Sequence, residues 1–306
     1  MITAAQAGPF DLGTVITRAA INVDPNTAPL TVLSDPLPQI LEGIPLELRD
    51  IRVYVDRPNF TLNPTNCEEM QISATVFGTG GAVATPSARF QATNCARLGF
   101  KPKLKLNLKG GTKRGSHPKL RAVLRTKQGP GSKNPEANIA GAVVRLPRSA
   151  FLDQAHIGTV CTRVQFAASA CPSRSVYGSA SVKTPLLDEA LSGPVYLRSS
   201  DNELPDLVIA LKGQAIPIEI NLAGRIDSVK GQIRTSFESV PDAPVSQFNL
   251  NMFGGKKGLI VNSRNLCARP SRAKVKFTGQ NGRISESRPV LKADCKRKKR
   301  TSKKKR

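Results

Sequence analysis

KPKLKLNLK, residues Lys101–Lys109, sets lysine at 101, 103, 105 and 109 and leucine at 104, 106 and 108. Successive side chains of an extended strand point to opposite faces, so this alternation makes one apolar and one cationic face. A helix would scatter the same residues around its circumference. After GGTKRGS (110–116), a turn, HPKLRAVLRTK (117–127) reads as the antiparallel partner. ANIAGAVVRLP (137–147) is a further strand, stopped at Pro147, which has no N–H to continue a ladder. SVYGSASVKTP (175–185), SGPVYLRS (192–199) and PDLVIALKG (205–213) continue the series. SAFLDQAHIGTVC (149–161) is the best helix candidate, with Ser149 as its cap and Phe151, Leu152 and Ala155 on one face. Short strands at such spacing point to a sandwich.

The rest of the composition agrees. Val, Ile, Leu, Thr, Pro and Gly are abundant and Trp is absent, which suits many strands and turns. At 306 residues the chain can bury a core and form two or three pieces. Its net charge of +24 is uneven. KRKKRTSKKKR (296–306) carries nine of the charges, and residues 97–127 hold eleven basic residues and no acidic one. The remaining surface is therefore nearly balanced.

Six cysteines lie at 67, 95, 161, 171, 267 and 295. Sequence alone leaves fifteen pairings open. Two of the gaps, however, are both 28 residues, which favours sequential pairing: Cys67–Cys95, Cys161–Cys171 and Cys267–Cys295. The rival is zinc, but no C-x2-C occurs and only two histidines could assist. Each disulfide would stabilise the fold by roughly 3 kcal/mol. Disulfides also imply export to an oxidising compartment.

The equal gaps belong to a longer repeat. FTLNPTNC (60–67) recurs as LIVNSRNLC (259–267), and EEMQISATVFGTGGAVATPSARFQATNC (68–95) as ARPSRAKVKFTGQNGRISESRPVLKADC (268–295). Phe77 and Phe277 each lie ten residues past their cysteine, and GTGG or TGQNG then marks a hairpin turn. GTGG as a phosphate cradle lacks the G-K-[ST] that should follow. Upstream, SDPLP (34–38) matches FESVP (237–241), IPLEL (44–48) matches APVSQF from Ala243, and GPFDLGTV (8–15) matches IPIEINL (216–222). Two copies of one β unit thus cover 1–96 and 209–295, with a β-sandwich segment carrying a short helix over 97–208 and a basic tail over 296–306. The expected class is all-β, with tandem Ig-like sandwich modules.

The first copy opens at Met1 within an apparent strand, which would expose a sheet edge. The reading is a late or misread start, with more strand, another cysteine module and a signal peptide encoded upstream; no signal peptide is visible near Met1. No transmembrane segment is expected in this chain.

Together, SDPLPQILEGIPLELRDIRVYVDRPNFTLNPTNC, CPSRSVYGSASVKTPLL, GPVYL, PDLVIAL, SVPDAPVSQFNL, NLCARP and FTGQNG resemble a family of large secreted repeat proteins of actinobacteria. The resemblance covers almost all of the chain up to Cys295. It implies an extracellular or envelope location and a modular architecture. It implies no activity, substrate or catalytic residue.

Little points to an enzyme. His156 lies five residues before Cys161, which suggests a Cys–His nucleophile, but pairing with Cys171 would leave no thiol. Asp24, Asn26 and Asp35 match no EF-hand spacing and are explained by turn chemistry. DIRVYVD (50–56) is an ordinary alternating strand. No cofactor or metal box is expected. The reading is a non-catalytic structural or adhesin-like surface protein. The alternative is nucleic-acid binding through 97–127 and the tail, although no phenylalanine or tyrosine falls between Lys101 and Lys127 to stack on bases. The tail contains no apolar residue and repels itself, so it should be disordered. KRKKR also fits a nuclear-import pattern, which needs a eukaryotic cytosol that paired cysteines argue against. The expected polyanion contacts are Lys101, Lys103, Lys105 and Lys109, with Lys296, Arg297, Lys298, Lys299, Arg300, Lys303, Lys304, Lys305 and Arg306. Their partners would be anionic wall polymers or polysaccharide.

Overall fold

The computed structural model describes residues 2–46, 62–128, 136–230 and 232–295. The expected strand at 50–56 and the tail at 296–306 lie outside them. The chain folds as two units, 1–62 and 63–306.

Over its described residues the first unit is a series of antiparallel hairpins. β1 (Ile2–Ala7) pairs with β2 (Phe10–Ile16), β3 (Ala19–Val23) with β4 (Leu30–Ser34), and β5 (Ile40–Leu41) with β6 (Ile44–Pro45). The turn between β3 and β4 is built on Asp24, whose Oδ1 accepts hydrogen bonds from the Thr27 hydroxyl and the Asn26 and Thr27 amides at 2.7–2.9 Å. Those donors, the Thr27 hydroxyl foremost, hold its carboxyl below the usual carboxylate range. Asp35 takes Arg18 at 3.1 Å. Asp24, Asn26 and Asp35 are therefore engaged in turn chemistry and an ion pair.

The second unit contains β7 (Glu69–Ser73), β8 (Val76–Phe77), β9 (Val83–Ala84), β10 (Ser87–Gln91), β11 (Lys103–Lys109), β12 (Lys119–Arg125), β13 (Ile139–Arg145) and β14 (Ala150–Leu152). After α1 (Arg163–Ala167) come β15 (Val176–Lys183), β16 (Leu191–Arg198), β17 (Asp206–Lys212), β18 (Glu219–Val229) and β19 (Gln232–Phe237). β20 (Gln247–Met252), β21 (Ile260–Asn262), β22 (Ser271–Arg272), β23 (Lys274–Gly279), β24 (Ile284–Ser287) and β25 (Val290–Ala293) complete it. Thirteen of these strands form one sheet, in the order β22-β25-β11-β12-β20-β15-β16-β17-β18-β19-β13-β23-β24.

The long strand β18 joins the two arms of that sheet. Its residues 219–224 pair with β17 and 225–229 with β19. The change of partner falls at Gly224, where a Cβ would meet the Phe237 ring at 2.6 Å. Leu106, Leu120, Leu197 and Ile209 from one arm and Ile139, Ile226, Ile233 and Phe277 from the other enter the same buried cluster. The alternating leucines of β11 are the inward face of this core, and the burial of β12, β15 and β16 alternates in step. The sequence reading of β11, β12, β13, β15, β16 and β17 as strands agrees with the structure.

All three cysteine pairs form as their spacing predicts, with Cα–Cα separations of 5.8, 5.3 and 5.6 Å along the chain. Cys161 has no thiol to offer as a nucleophile. An asparagine just ahead of Cys67 and another two residues ahead of Cys267 make local turns: Asn66 Oδ1 accepts from the Glu68 amide and Asn265 Oδ1 from the Cys267 amide. The first of these loops is clamped by Asp242, whose carboxylate accepts from the Thr65 amide and hydroxyl, the Asn66 amide and side chain, and the Asn138 side chain. In the second loop, buried Asn262 donates instead to the Gly111 and Lys113 carbonyls, which fixes the β11–β12 turn.

The helix is not at 149–161. Ser149 Oγ donates to Ser271 Oγ rather than capping a helix, and Ala150–Leu152 pair with β21. Asp153 then caps a single 3-10 turn, Gln154–His156, by accepting from the Ala155 amide. The α-helix begins at Arg163, where Thr162 and Gln165 form a reciprocal capping box. Burial of Ala150 against β21 outweighs a weak cap at Ser149.

Asp227 on β18 accepts from Arg225 Nε at 2.8 Å and Arg234 Nη2 at 2.8 Å. Burial raises its pKa, but the hydrogen bonds from Arg234 and Arg225 and their charges outweigh that, and the net shift is downward. A depressed carboxylate contributes stability above its unfolded pKa, and this is lost as pH falls through the folded value. Asp227→Asn should therefore lower stability at pH 7 and flatten its acid-side decline below about pH 4. Urea midpoints measured from pH 7 to pH 3 test this; parallel curves for the two proteins would refute it.

Candidate functional site

The register of β11 and β12 puts every odd-numbered residue of both strands on the solvent face. Lys103 stands opposite Arg125, Asn107 opposite Arg121, and Lys109 opposite Lys119. Lys101, Lys103, Lys105 and Lys109 are all exposed, with Lys101 just ahead of the strand. β25 lies parallel to β11 on its other side and sets exposed Lys292 against Asn107.

Seven cations thus share one face: Lys103, Lys105, Lys109, Lys119, Arg121, Arg125 and Lys292. Neighbours are about 4.8 Å apart across strands and about 6.8 Å along them. No Asp or Glu occurs in β25, β11, β12, β20 or β15. Among the described residues none of the seven has an ion-pair partner; Arg125 donates to Gln247 at 3.2 Å instead. The face continues as neutral polar groups, with Gln247 Nε2 donating to Asn249 Oδ1 and Asn249 Nδ2 to Ser181 Oγ. Like charges directly opposite in a sheet are destabilising. Lys103/Arg125 and Lys109/Lys119 keep that cost where a neutral pair would remove it.

The sequence singled out the lysines of β11 but not Lys119, Arg121 and Arg125 as site residues. Their signal was the same alternation one turn later. Lys292 carried no local signal, since only the parallel pairing of β25 brings it there. The tail positions Lys296, Arg297, Lys298, Lys299, Arg300, Lys303, Lys304, Lys305 and Arg306 lie outside the described residues.

A second cationic feature is a cleft of about 540 Å³ lined by Arg148, Arg264 and Arg269 with Ser149, Ser263 and Ser271. Arg264 Nη2 donates to Ser271 Oγ at 2.7 Å, and among the described residues no carboxylate directs the Arg148 and Arg269 guanidiniums.

The chain's two histidines meet beside the start of β12. His117 Nε2 lies 2.7 Å from Asp153 Oδ2, His156 Nε2 lies 4.0 Å from the same oxygen, and the rings stack with centroids 4.2 Å apart. The His117 hydrogen bond is the main cause that holds the Asp153 carboxyl below its ordinary range, against the opposing effect of burial. Among the described residues this is the one group of three side chains placed to share a metal ion.

No helix among the described residues is long and apolar enough to cross a membrane. No known protein-family model matches the chain, and no curated protein or solved structure matches it.

Proposed function

We propose that the chain is a non-catalytic extracellular or envelope-associated protein that holds polyanions on the solvent face of β25, β11 and β12. The observation that carries this reading is the unpaired like-charge ladder Lys103/Arg125 and Lys109/Lys119. A local conflict retained without internal compensation is the signature of a binding surface. Three disulfides, which point to an oxidising compartment, support the location. The internal repeat supports tandem β modules of Ig-like type, as in the secreted actinobacterial repeat proteins that the sequence resembles. The tail 296–306 would add a second, sequence-indifferent tether. The partner class is an anionic wall polymer or acidic polysaccharide, since the face has charge, amides and hydroxyls but no aromatic platform.

Cosedimentation with purified bacterial walls tests the proposal. Binding through six to ten phosphate-like contacts should weaken by about 10³–10⁵ between 50 and 200 mM salt. Lys105→Glu with Arg121→Glu should leave the fold unchanged, because neither side chain has an ion-pair partner among the described residues, and should lower affinity by about 100-fold. The chain ending at Cys295 should bind more weakly than the full chain, with the residual binding still dependent on Arg121. Salt-independent binding, or equal binding by the double variant, would overturn the assignment. Competition by one defined nucleic-acid sequence alone would favour nucleic-acid recognition instead.

A further inference from the structure

We infer that His117, Asp153 and His156 form a site for a divalent transition ion of the zinc type. The three ligand atoms lie within 4.8 Å of one another, and they come from the loop before β12, the residue after β14 and the 3-10 turn that follows. Two imidazoles and one carboxylate are the donor set of three-ligand zinc sites, which leave a further position for water or an exogenous ligand. Side-chain exposures of 19%, 24% and 27% leave that position open to solvent without stripping the ligands of support.

The surroundings are built as a ligand's support should be. His156 Nδ1 faces the Gly258 carbonyl at 2.8 Å. A carbonyl can only accept, so the proton sits on Nδ1 and the Nε2 lone pair is free, aimed toward Asp153. A backbone carbonyl behind the distal nitrogen is the usual way a ligating histidine is oriented. Asp153 Oδ1 is held by the Ala155 amide at 3.1 Å, which leaves Oδ2 for the shared centre. Gly258 allows the approach: a Cβ there would meet His117 Cβ at 2.8 Å.

Without a metal, the His117 Nε2 proton fills the place the ion would take, donating to Asp153 Oδ2. Metal uptake moves that proton to Nδ1 or releases it to solvent. A metal lies in the plane of each imidazole that binds it, so the stacked rings, now 25° apart, must open as the ion enters. The ion would then pin the β11–β12 loop to the segment after β14. Deep burial is not required for this role, and neither is catalysis.

Titration of the full chain with zinc chloride by calorimetry tests the site, in chelator-stripped buffer near pH 7.5. One ion should bind per chain, and the ring signals of both histidines should shift together in nuclear magnetic resonance spectra. Cobalt in place of zinc should give visible absorption of a low-coordinate nitrogen–oxygen site. His117→Asn, Asp153→Asn and His156→Asn should each weaken zinc binding by at least the roughly 10–100-fold seen for loss of a supporting group alone. The His156→Asn variant retains a donor for the Gly258 carbonyl. If a variant fails to fold, the paired histidine shifts of the unaltered chain still decide the matter. No uptake at millimolar zinc, a shift in one histidine only, or equal affinity in the His117→Asn, His156→Asn double variant (an adventitious ion) would each overturn the assignment.

Discussion

Gly193→Val should prevent the thirteen-stranded sheet from forming. Gly193 lies in β16, between β15 and β17, and Val195, Leu197 and Ile209 around it are fully buried. A Cβ at 193 would stand 1.7 Å from the Ala210 carbonyl oxygen and 2.9 Å from its carbon. The obstacle is backbone in the adjacent strand, so no side-chain rotation relieves it. Over-packing of ordinary side chains costs about 1–3 kcal/mol, and a rigid backbone clash in a central strand exceeds that. Against a typical total of about 5–15 kcal/mol, the valine variant should be unfolded and the alanine variant weakened by about 3 kcal/mol or more. Gly80→Ala is the control, since an added Cβ there meets nothing within 4 Å; it should change stability by less than about 0.5 kcal/mol. Urea unfolding followed by far-ultraviolet circular dichroism reads all three. An alanine variant within about 1 kcal/mol of the parent would show that β15 and β17 are less closely held than the structure implies.

The clash at Gly193 also shows why part of the fold was legible in the sequence and part was not. Period-two alternation in KLKLNLK and KLRAVLR fixes which side chains point inward, because one face of that hairpin is core and the other solvent. It cannot say which strands lie beyond the hairpin. β20 beside β12 and β25 beside β11 come from more than a hundred residues downstream, and their pairing depends on the shape of the whole sheet. Lys292 and the Gln247–Asn249–Ser181 network therefore joined the candidate face only in three dimensions. The histidine cluster was hidden for the same reason. In the sequence His117 merely opens the HPKLRAVLRTK segment and His156 stands near a cysteine, and neither has a metal-ligand spacing to the other.

Equal spacing in sequence did not mean equal burial. Phe77 and Phe277 hold equivalent places past their cysteines, yet Phe277 is 2% exposed and Phe77 74%. Phe277 lies in β23, flanked by β13 and β24, whereas among the described residues β8 pairs with β9 alone. β19, the counterpart of β4, likewise lies between β18 and β13, while Leu30, Val32 and Leu33 of β4 are exposed. β13 lies between β19 and β23 in the large sheet, and among the described residues β8 and β9 have no such neighbour. β13 thereby joins β19 to β23 and brings Ile139, Ile233 and Phe277 into one core.

Removing the Cys267–Cys295 disulfide should weaken the cationic face, and removing Cys67–Cys95 should not. Each closes a loop of 28 residues, so on loop entropy each loss costs about 3.5 kcal/mol. The consequences differ with position. Cys295 lies two residues beyond β25, an outer strand joined to β11 through the three residue pairs Leu106/Leu291, Asn107/Lys292 and Leu108/Ala293. With the disulfide gone, β25 and the two-residue β22 form a short ladder whose local opening is opposed by few interactions. Lys292 then leaves the face, and the flank of β11 is uncovered. Cys67–Cys95 instead secures the loop that Asp242 clamps, and neither cysteine lies in a strand paired with β11. The Cys267→Ser, Cys295→Ser pair should therefore raise amide exchange in β25 and β11 and reduce polyanion affinity several-fold. The Cys67→Ser, Cys95→Ser pair should raise exchange around 63–95 and leave that affinity unchanged. Equal losses of binding in the two double variants would mean that the disulfides act on global stability alone and that β25 is not part of the binding face.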